Sequence, residues 1–144
     1  MAVSIQYVAV GSPEYQGVYD LREAILRKPI GLSLANEDLS GDKEDIILSA
    51  SENGNIIGCL MLKPVDAHTI KFRQMAVTEN YQGKGIGNML ITVAEEMCRQ
   101  KGYNKVILHA RETAEGFYAR LGYLKTSELF TEVGIPHYVM EKQL

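Results

Sequence analysis

The segment Tyr81-Gln82-Gly83-Lys84-Gly85-Ile86-Gly87-Asn88 places three glycines in five residues, directly ahead of a run with helical periodicity. Glycine at alternate positions lets the backbone turn tightly and keeps side chains away from its amides. A helix start adds unpaired N–H groups and the positive end of a dipole. Together these make a phosphate cradle. A turn that only begins a helix needs fewer glycines. A Walker loop is excluded, because Gly-x-x-x-x-Gly-Lys must be followed by Ser or Thr and Lys84 comes too early. The dinucleotide fingerprint Gly-x-Gly-x-x-Gly asks for glycine where the chain has Asn88 or Leu90, which disfavours a Rossmann site.

The elements that position this loop follow from pattern and turn chemistry. Ser4 to Val10 is rich in β-branched and aromatic residues and reads as a strand. Ser12 as N-cap, Pro13 in the first turn and Val18, Leu21 and Ile25 at helical spacing predict a helix that Pro29 ends. Arg22 and Arg27 fall outside its apolar set, and Leu32 to Asp45 reads chiefly as loop. Asn53-Gly54 between the apolar runs Ile46 to Ala50 and Asn55 to Lys63 predicts a hairpin. Pro64 to His68 reverses the chain again, and Thr69 to Val77 returns as a third antiparallel strand. Leu90, Val93, Ala94 and Met97 then repeat with a helical period up to Lys101-Gly102. A strand over Val106 to Ala110, a short helix capped by Thr113 and carrying Phe117 and Tyr118, and a strand pair over Lys125 to Glu132 and His137 to Lys142 complete a mixed α+β pattern.

Composition narrows the classes. Fifteen Lys and Arg against 18 Asp and Glu give a net charge of −3 with no long basic run, which argues against nucleic-acid binding. The longest uncharged apolar run, Asn55 to Leu62, is strand-sized, far short of the ~20 residues that cross a bilayer. The first ten residues lack a signal-peptide pattern, so a cytoplasmic setting is expected. With 144 residues and no repeat or linker, one domain over residues 1–144 is expected. Cys59 and Cys98 sit in apolar stretches without the close spacing of a zinc site and read as small buried hydrophobes, so no metal is expected.

Gln82-x-x-Gly85-x-Gly87 resembles the acyl-coenzyme A pyrophosphate loop of the GNAT N-acetyltransferase superfamily, and the element order over nearly the whole chain is similar to that fold. The resemblance implies a central mixed, mostly antiparallel sheet flanked by helices, with acetyl-coenzyme A as cosubstrate. It implies that Met75, Ala76 and Val77 pair with the pantetheine arm, and that Gln82, Gly83, Lys84, Gly85, Ile86, Gly87 and Asn88 hold the pyrophosphate. Ala114-x-x-x-Tyr118-x-x-x-Gly122-Tyr123 resembles the second signature, in which the helix tyrosine lies close to the coenzyme sulfur. That makes Tyr118 the general acid, which can protonate the leaving thiolate or hydrogen-bond to it, with Phe117 a neighbouring coenzyme contact. Arg111 stands where many members carry Asn three residues before that alanine. Gly134 to His137 and Leu21 to Pro29 are similar to segments of small bacterial members, and a homodimer is common in the superfamily.

The implied reaction is direct attack of an amine on the thioester. Glu79, Glu112, His109 and His137 are each suited by chemistry to take the amine proton, and the base stays open among them. The acceptor is a small-molecule or peptide amine. Five acids between Glu37 and Asp45 suit a cationic acceptor, whereas Arg22, Arg27 and Lys28 suit an acidic one. The alternative is a non-catalytic acyl-coenzyme A-binding or sensing module on the same fold.

Overall fold

In the computed structural model, which describes residues 2–144, the chain forms two compact units: residues up to Lys63 together with Gln74–Ala94, and Pro64–Arg73 together with Glu95–Leu144. The architecture is mixed α+β, an open multi-strand sheet flanked by helices.

In the first unit, β1 (Ser4–Val8), β2 (Ile46–Glu52) and β3 (Asn55–Pro64) are antiparallel neighbours, and β4 (Thr69–Val77) follows β3 in the strand order. Asn53 and Gly54, at φ 53° and 79°, close the expected β2–β3 turn. Period-two alternation sorts the side chains. Ile47 opposite Met61 and Ser49 opposite Cys59 share one face, and Leu48 opposite Leu60 and Ala50 opposite Gly58 share the other. Helix α1 (Pro13–Arg22) covers the first face, where Val18 and Leu21 join Val8, Ile47, Cys59, Met61 and Ala76 in one cluster. On the second face the bare Cα of Gly58 admits α2 (Ile86–Gln100). An added Cβ there would lie 3.0 Å from Ile86 Cγ2 and 3.2 Å from Leu90 Cδ1.

In the second unit the Thr69–Phe72 part of β4 pairs in parallel with β5 (Lys105–Arg111), the arrangement a β-α-β crossover imposes. β5 pairs antiparallel with β8 (Ile135–Gln143), and β6 (Leu124–Lys125) and β7 (Phe130–Glu132) also pair with β8. Helix α3 (Glu115–Arg120) carries Phe117 and Tyr118.

Several local expectations are corrected. Ser12 is the N-cap residue of α1, but its hydroxyl donates backward to the Ala9 carbonyl at 2.6 Å and caps no helical amide. The α1 register ends at Arg22, and Glu23–Arg27 continues as a π-helical turn before a 3₁₀ turn over Lys28–Ile30 that contains Pro29. Thr113 lies within a 3₁₀ turn, Glu112–Ala114, and Ala114 is the N-cap of α3. Val93 is exposed, and Ile86, Ile91 and Cys98 are buried on α2 instead. The strand expected over Lys125 to Glu132 is broken, because Ser127 accepts a hydrogen bond from the Val139 amide and so leaves β6 and β7 as separate pieces. Among the described residues no helix is long and apolar enough to cross a membrane.

Candidate active site

The loop after β4 is fixed before it reaches its glycines. A 3₁₀ turn over Glu79–Tyr81 starts where the Thr78 amide donates to the Ile57 carbonyl, and the Tyr81 hydroxyl donates to Glu52 at 2.6 Å. That bond to a carboxylate raises the Tyr81 pKa. The Gln82 side-chain amide donates to the Val77 carbonyl at 2.9 Å, which ties the loop to the end of β4. Gly83 and Gly85 then adopt φ 76° and 85°, which L side chains rarely tolerate, and an added Cβ at either would meet nothing within 4 Å. Their conformation faces open space, so it is not needed to fit the protein's own packing. The first amide of α2 to bond back into the helix is Met89 N, on the Gly85 carbonyl at 3.0 Å, so the preceding amides have no partner within the helix. Ile86 is buried against Gly58, which leaves its backbone amide as the part available to a ligand, while Lys84 and Asn88 are exposed. This set fits a pyrophosphate.

Within β4, Gln74 adopts φ 54°, an uncommon conformation for a residue with a side chain. Its side-chain oxygen accepts from Arg22 Nε at 3.4 Å and Arg27 Nη2 at 3.3 Å. Arg22 also donates to Asp42 at 2.8 Å, with both side chains nearly inaccessible, and the Tyr15 hydroxyl donates to the same Asp42 oxygen at 2.6 Å. Burial and Asp42 push Tyr15 up to about 12. Arg27 is paired with Glu37, which holds the Glu37 carboxyl below its usual range. These contacts correct two expectations. Arg22 is a buried cation and not a surface one, and Arg27 is paired with Glu37 and Gln74 and does not stand free on the helix. The acidic loop likewise spends Asp42 on Arg22, Glu37 on Arg27 and Asp38 on the Ser40 amide. These charges lie on an amphipathic helix and a polar loop, and their spacing in sequence gives no sign that they meet.

In the second unit Tyr118 is half-buried and packs edge-to-face on Phe117 at 5.0 Å and on Tyr123 at 5.8 Å. Burial pushes the Tyr118 hydroxyl up to about 12. Tyr123 is held in turn, since its hydroxyl donates to buried Glu95 at 2.8 Å and Lys142 donates to Glu95 at 3.1 Å and to the Leu121 carbonyl at 2.7 Å. Glu95 and Lys142 thus fix the end of α3, a role the sequence did not suggest. The candidate bases divide. Glu79 and Glu112 are exposed on separate 3₁₀ turns. His109 and His137 are brought together by Glu132, with His109 Nδ1 3.1 Å and His137 Nε2 3.9 Å from one Glu132 oxygen. Arg111 lies opposite His137 on β8. Both cysteines are buried, and burial raises Cys59 to about 12 and Cys98 to about 11. Among the described residues no group of three or more His, Cys, Asp or Glu is placed to hold a metal ion.

The model of the "Acetyltransferase (GNAT) domain" family matches residues 12–144. The chain belongs to the GNAT acetyltransferase family. It is 29% identical to a crystallised Lactobacillus plantarum protein assigned as an N-acetyltransferase, with a TM-score of 0.88 over 100% of this chain and 99% of that one. A GNAT family acetyltransferase from Elizabethkingia anophelis, solved with acetyl-coenzyme A bound, shares the GNAT fold at 24% identity, with a TM-score of 0.74 over 99% of this chain and 98% of that one. Among curated relatives, the uncharacterised protein YyaT of Bacillus subtilis (strain 168) is 36% identical over 77 residues, 54% of this chain, and the match spans about half (52%) of that relative's length.

Proposed function

We propose that this chain transfers the acetyl group of acetyl-coenzyme A to a primary amine of a small molecule or peptide by direct attack in a ternary complex. The observation that carries the reading is the loop. Two left-handed glycines in open space are tied to β4 by Gln82 and continued by a 15-residue helix. In this reading the amides from Gly83 to Asn88 hold the pyrophosphate, and the backbone of Met75, Ala76 and Val77 pairs with the pantetheine arm. Phe117 is a further contact beside Tyr118. The coenzyme supplies an activated thioester carbonyl.

The chain's own groups act on that carbonyl and its leaving sulfur. An amide at Met75 or Ala76 polarises the carbonyl oxygen as the C–N bond forms. Tyr118 serves the sulfur as the C–S bond breaks. Its proton, raised to about 12, is held more tightly than by a thiol near ~8.5, so the phenol stays neutral and stabilises the thiolate as a hydrogen-bond donor. The amine loses one proton and the coenzyme thiolate gains one. A covalent enzyme intermediate is disfavoured, because Cys59 and Cys98 are buried and remain thiols at neutral pH.

The test is calorimetric titration with acetyl-coenzyme A beside ATP and NAD, followed by thiol release with amino acids, polyamines, amino sugars and peptides. Selective coenzyme binding and acceptor-dependent release support the reading. Selective binding with no release from any amine would instead identify a binding or sensing module.

A further inference from the structure

We infer that His109 is the base that takes the proton from the acceptor amine, with Glu132 as its positioning residue; this rests on the acetyl-transfer reading above. The inference starts from the strand registers. His109 and Arg111 on β5 lie opposite Val139 and His137 on β8, and Phe130 and Glu132 on β7 lie opposite His137 and Ile135. Residues opposite one another, and residues two apart on a strand, share a face. His109, Phe130, Glu132 and His137 therefore stand together on one face, while Val106, Leu108 and Ala110, the alternate residues of β5, are buried on the other. Two imidazoles and a carboxylate meet on the side of the sheet that this unit does not use for its core.

The hydrogen bonds fix which ring nitrogens hold protons. An ionised carboxylate only accepts, so His109 Nδ1, 3.1 Å from Glu132, is the donor, and in the neutral ring Nε2 is the nitrogen left with a lone pair. Phe130 meets the same ring edge-to-face at 5.4 Å, so the imidazole is held from two sides. The His137 Nδ1 must likewise donate to the Ile135 carbonyl at 2.8 Å, but its side chain is 8% exposed against 28% for His109. His109 is thus the one of the pair that offers an oriented lone pair to solvent. Glu132 precedes a turn in which Val133, a β-branched residue, adopts φ 47°, an uncommon conformation that persists only where the surroundings impose it. Glu79 and Glu112, the carboxylates also suited to the role, sit exposed on 3₁₀ turns, and among the described residues no side chain is shown orienting either.

In the step itself His109 Nε2 takes one proton from the amine nitrogen as that nitrogen bonds to the acetyl carbon. The bond to sulfur breaks, and the thiolate leaves under the Tyr118 hydroxyl. The imidazolium then returns its proton to solvent or to the thiolate. The charged groups that share the face are Glu132 from β7, His137 from β8, Lys71 and Arg73 from β4, and Arg111 from β5 itself. Lys105 and Glu141, farther along the same face, are paired with each other at 2.9 Å.

The experiment compares wild type, His109→Gln, His109→Ala, Glu132→Gln and Glu132→Asp for acetyl-coenzyme A binding by calorimetry and for kcat and KM across pH with an amine found in the acceptor panel. His109→Gln is expected to lose about 100-fold in kcat, to lose the acidic limb of the rate profile and to bind the coenzyme unchanged. Added imidazole restores rate to His109→Ala and not to wild type. Glu132→Gln is expected to lose about 10-fold in kcat at unchanged KM for the coenzyme, with Glu132→Asp recovering part of it. Wild-type turnover that His109→Gln retains, with its acidic limb, would overturn the base assignment and leave acetyl transfer standing. Coenzyme binding without wild-type turnover on any amine would overturn both.

Discussion

The Gly83–Asn88 loop and the His109–Glu132 pair are built by different means. The loop works through backbone, with two left-handed glycines, a helix start and one side-chain tether from Gln82 to Val77. The pair works through side chains from β5 and β7 that are 23 positions apart and meet because each strand registers with β8. Backbone chemistry leaves its mark in a short window of sequence, since only particular residue types allow it. Side-chain chemistry assembled by register leaves no local mark. A site of the first kind can be read before folding is known, and a site of the second kind has to be built first.

The largest effect is expected in the first unit, at the buried Arg22–Asp42 pair beside Gln74. Arg22→Ala takes the buried cation away from the Asp42 carboxylate, on which the Tyr15 hydroxyl remains, and should lower unfolding free energy by about 3–5 kcal/mol in urea titration. Replacing both residues by Leu should recover part of that loss, because no buried charge then remains. Equal destabilisation in the single and double variants would show that packing, not charge pairing, sets the effect. In the second unit Tyr118→Phe removes one hydroxyl and keeps both ring contacts, so stability should change little while kcat falls about 10-fold and coenzyme affinity holds. Tyr118 is pushed up to about 12, so loss of rate below about pH 11 on the alkaline side belongs to some other group. The smallest effect is expected at the thiols. Cys59→Ala and Cys98→Ala each remove a buried sulfur and should leave kcat unchanged, with the change confined to stability measured by thermal unfolding. A collapse of kcat in either variant would restore a covalent route.

The sequence carried the loop, the Asn53-Gly54 hairpin and the helix bearing Tyr118, because each rests on turn chemistry or periodicity within a window of a few residues. It did not carry the π-turn at Glu23–Arg27, where Ile25 keeps the apolar pattern and only the hydrogen-bond register changes. Arg22 was misplaced for a related reason. Periodicity assigns a charged residue to the wet side of a helix, whereas this one is buried by a partner 20 residues away. The break between β6 and β7 was hidden as well, since Lys125 to Glu132 has no Gly or Pro to mark it, and the cause is a side chain, Ser127, bonding across to Val139. Glu95, Lys142 and Glu132 share this character. Their roles come from partners on other elements, and one chain read in order gives those partners no special spacing.

Calorimetric titration of acetyl-coenzyme A into wild type and into Gly85→Val tests whether the Gly83–Asn88 backbone binds the coenzyme. Valine at φ 85° is strained and its side chain enters the open cradle, so a cost of about 1–3 kcal/mol, or roughly a 10- to 100-fold loss of affinity, is expected in a protein that remains folded by circular dichroism. Undiminished coenzyme binding in folded Gly85→Val, or no binding by folded wild type, would rule out this loop as the coenzyme site.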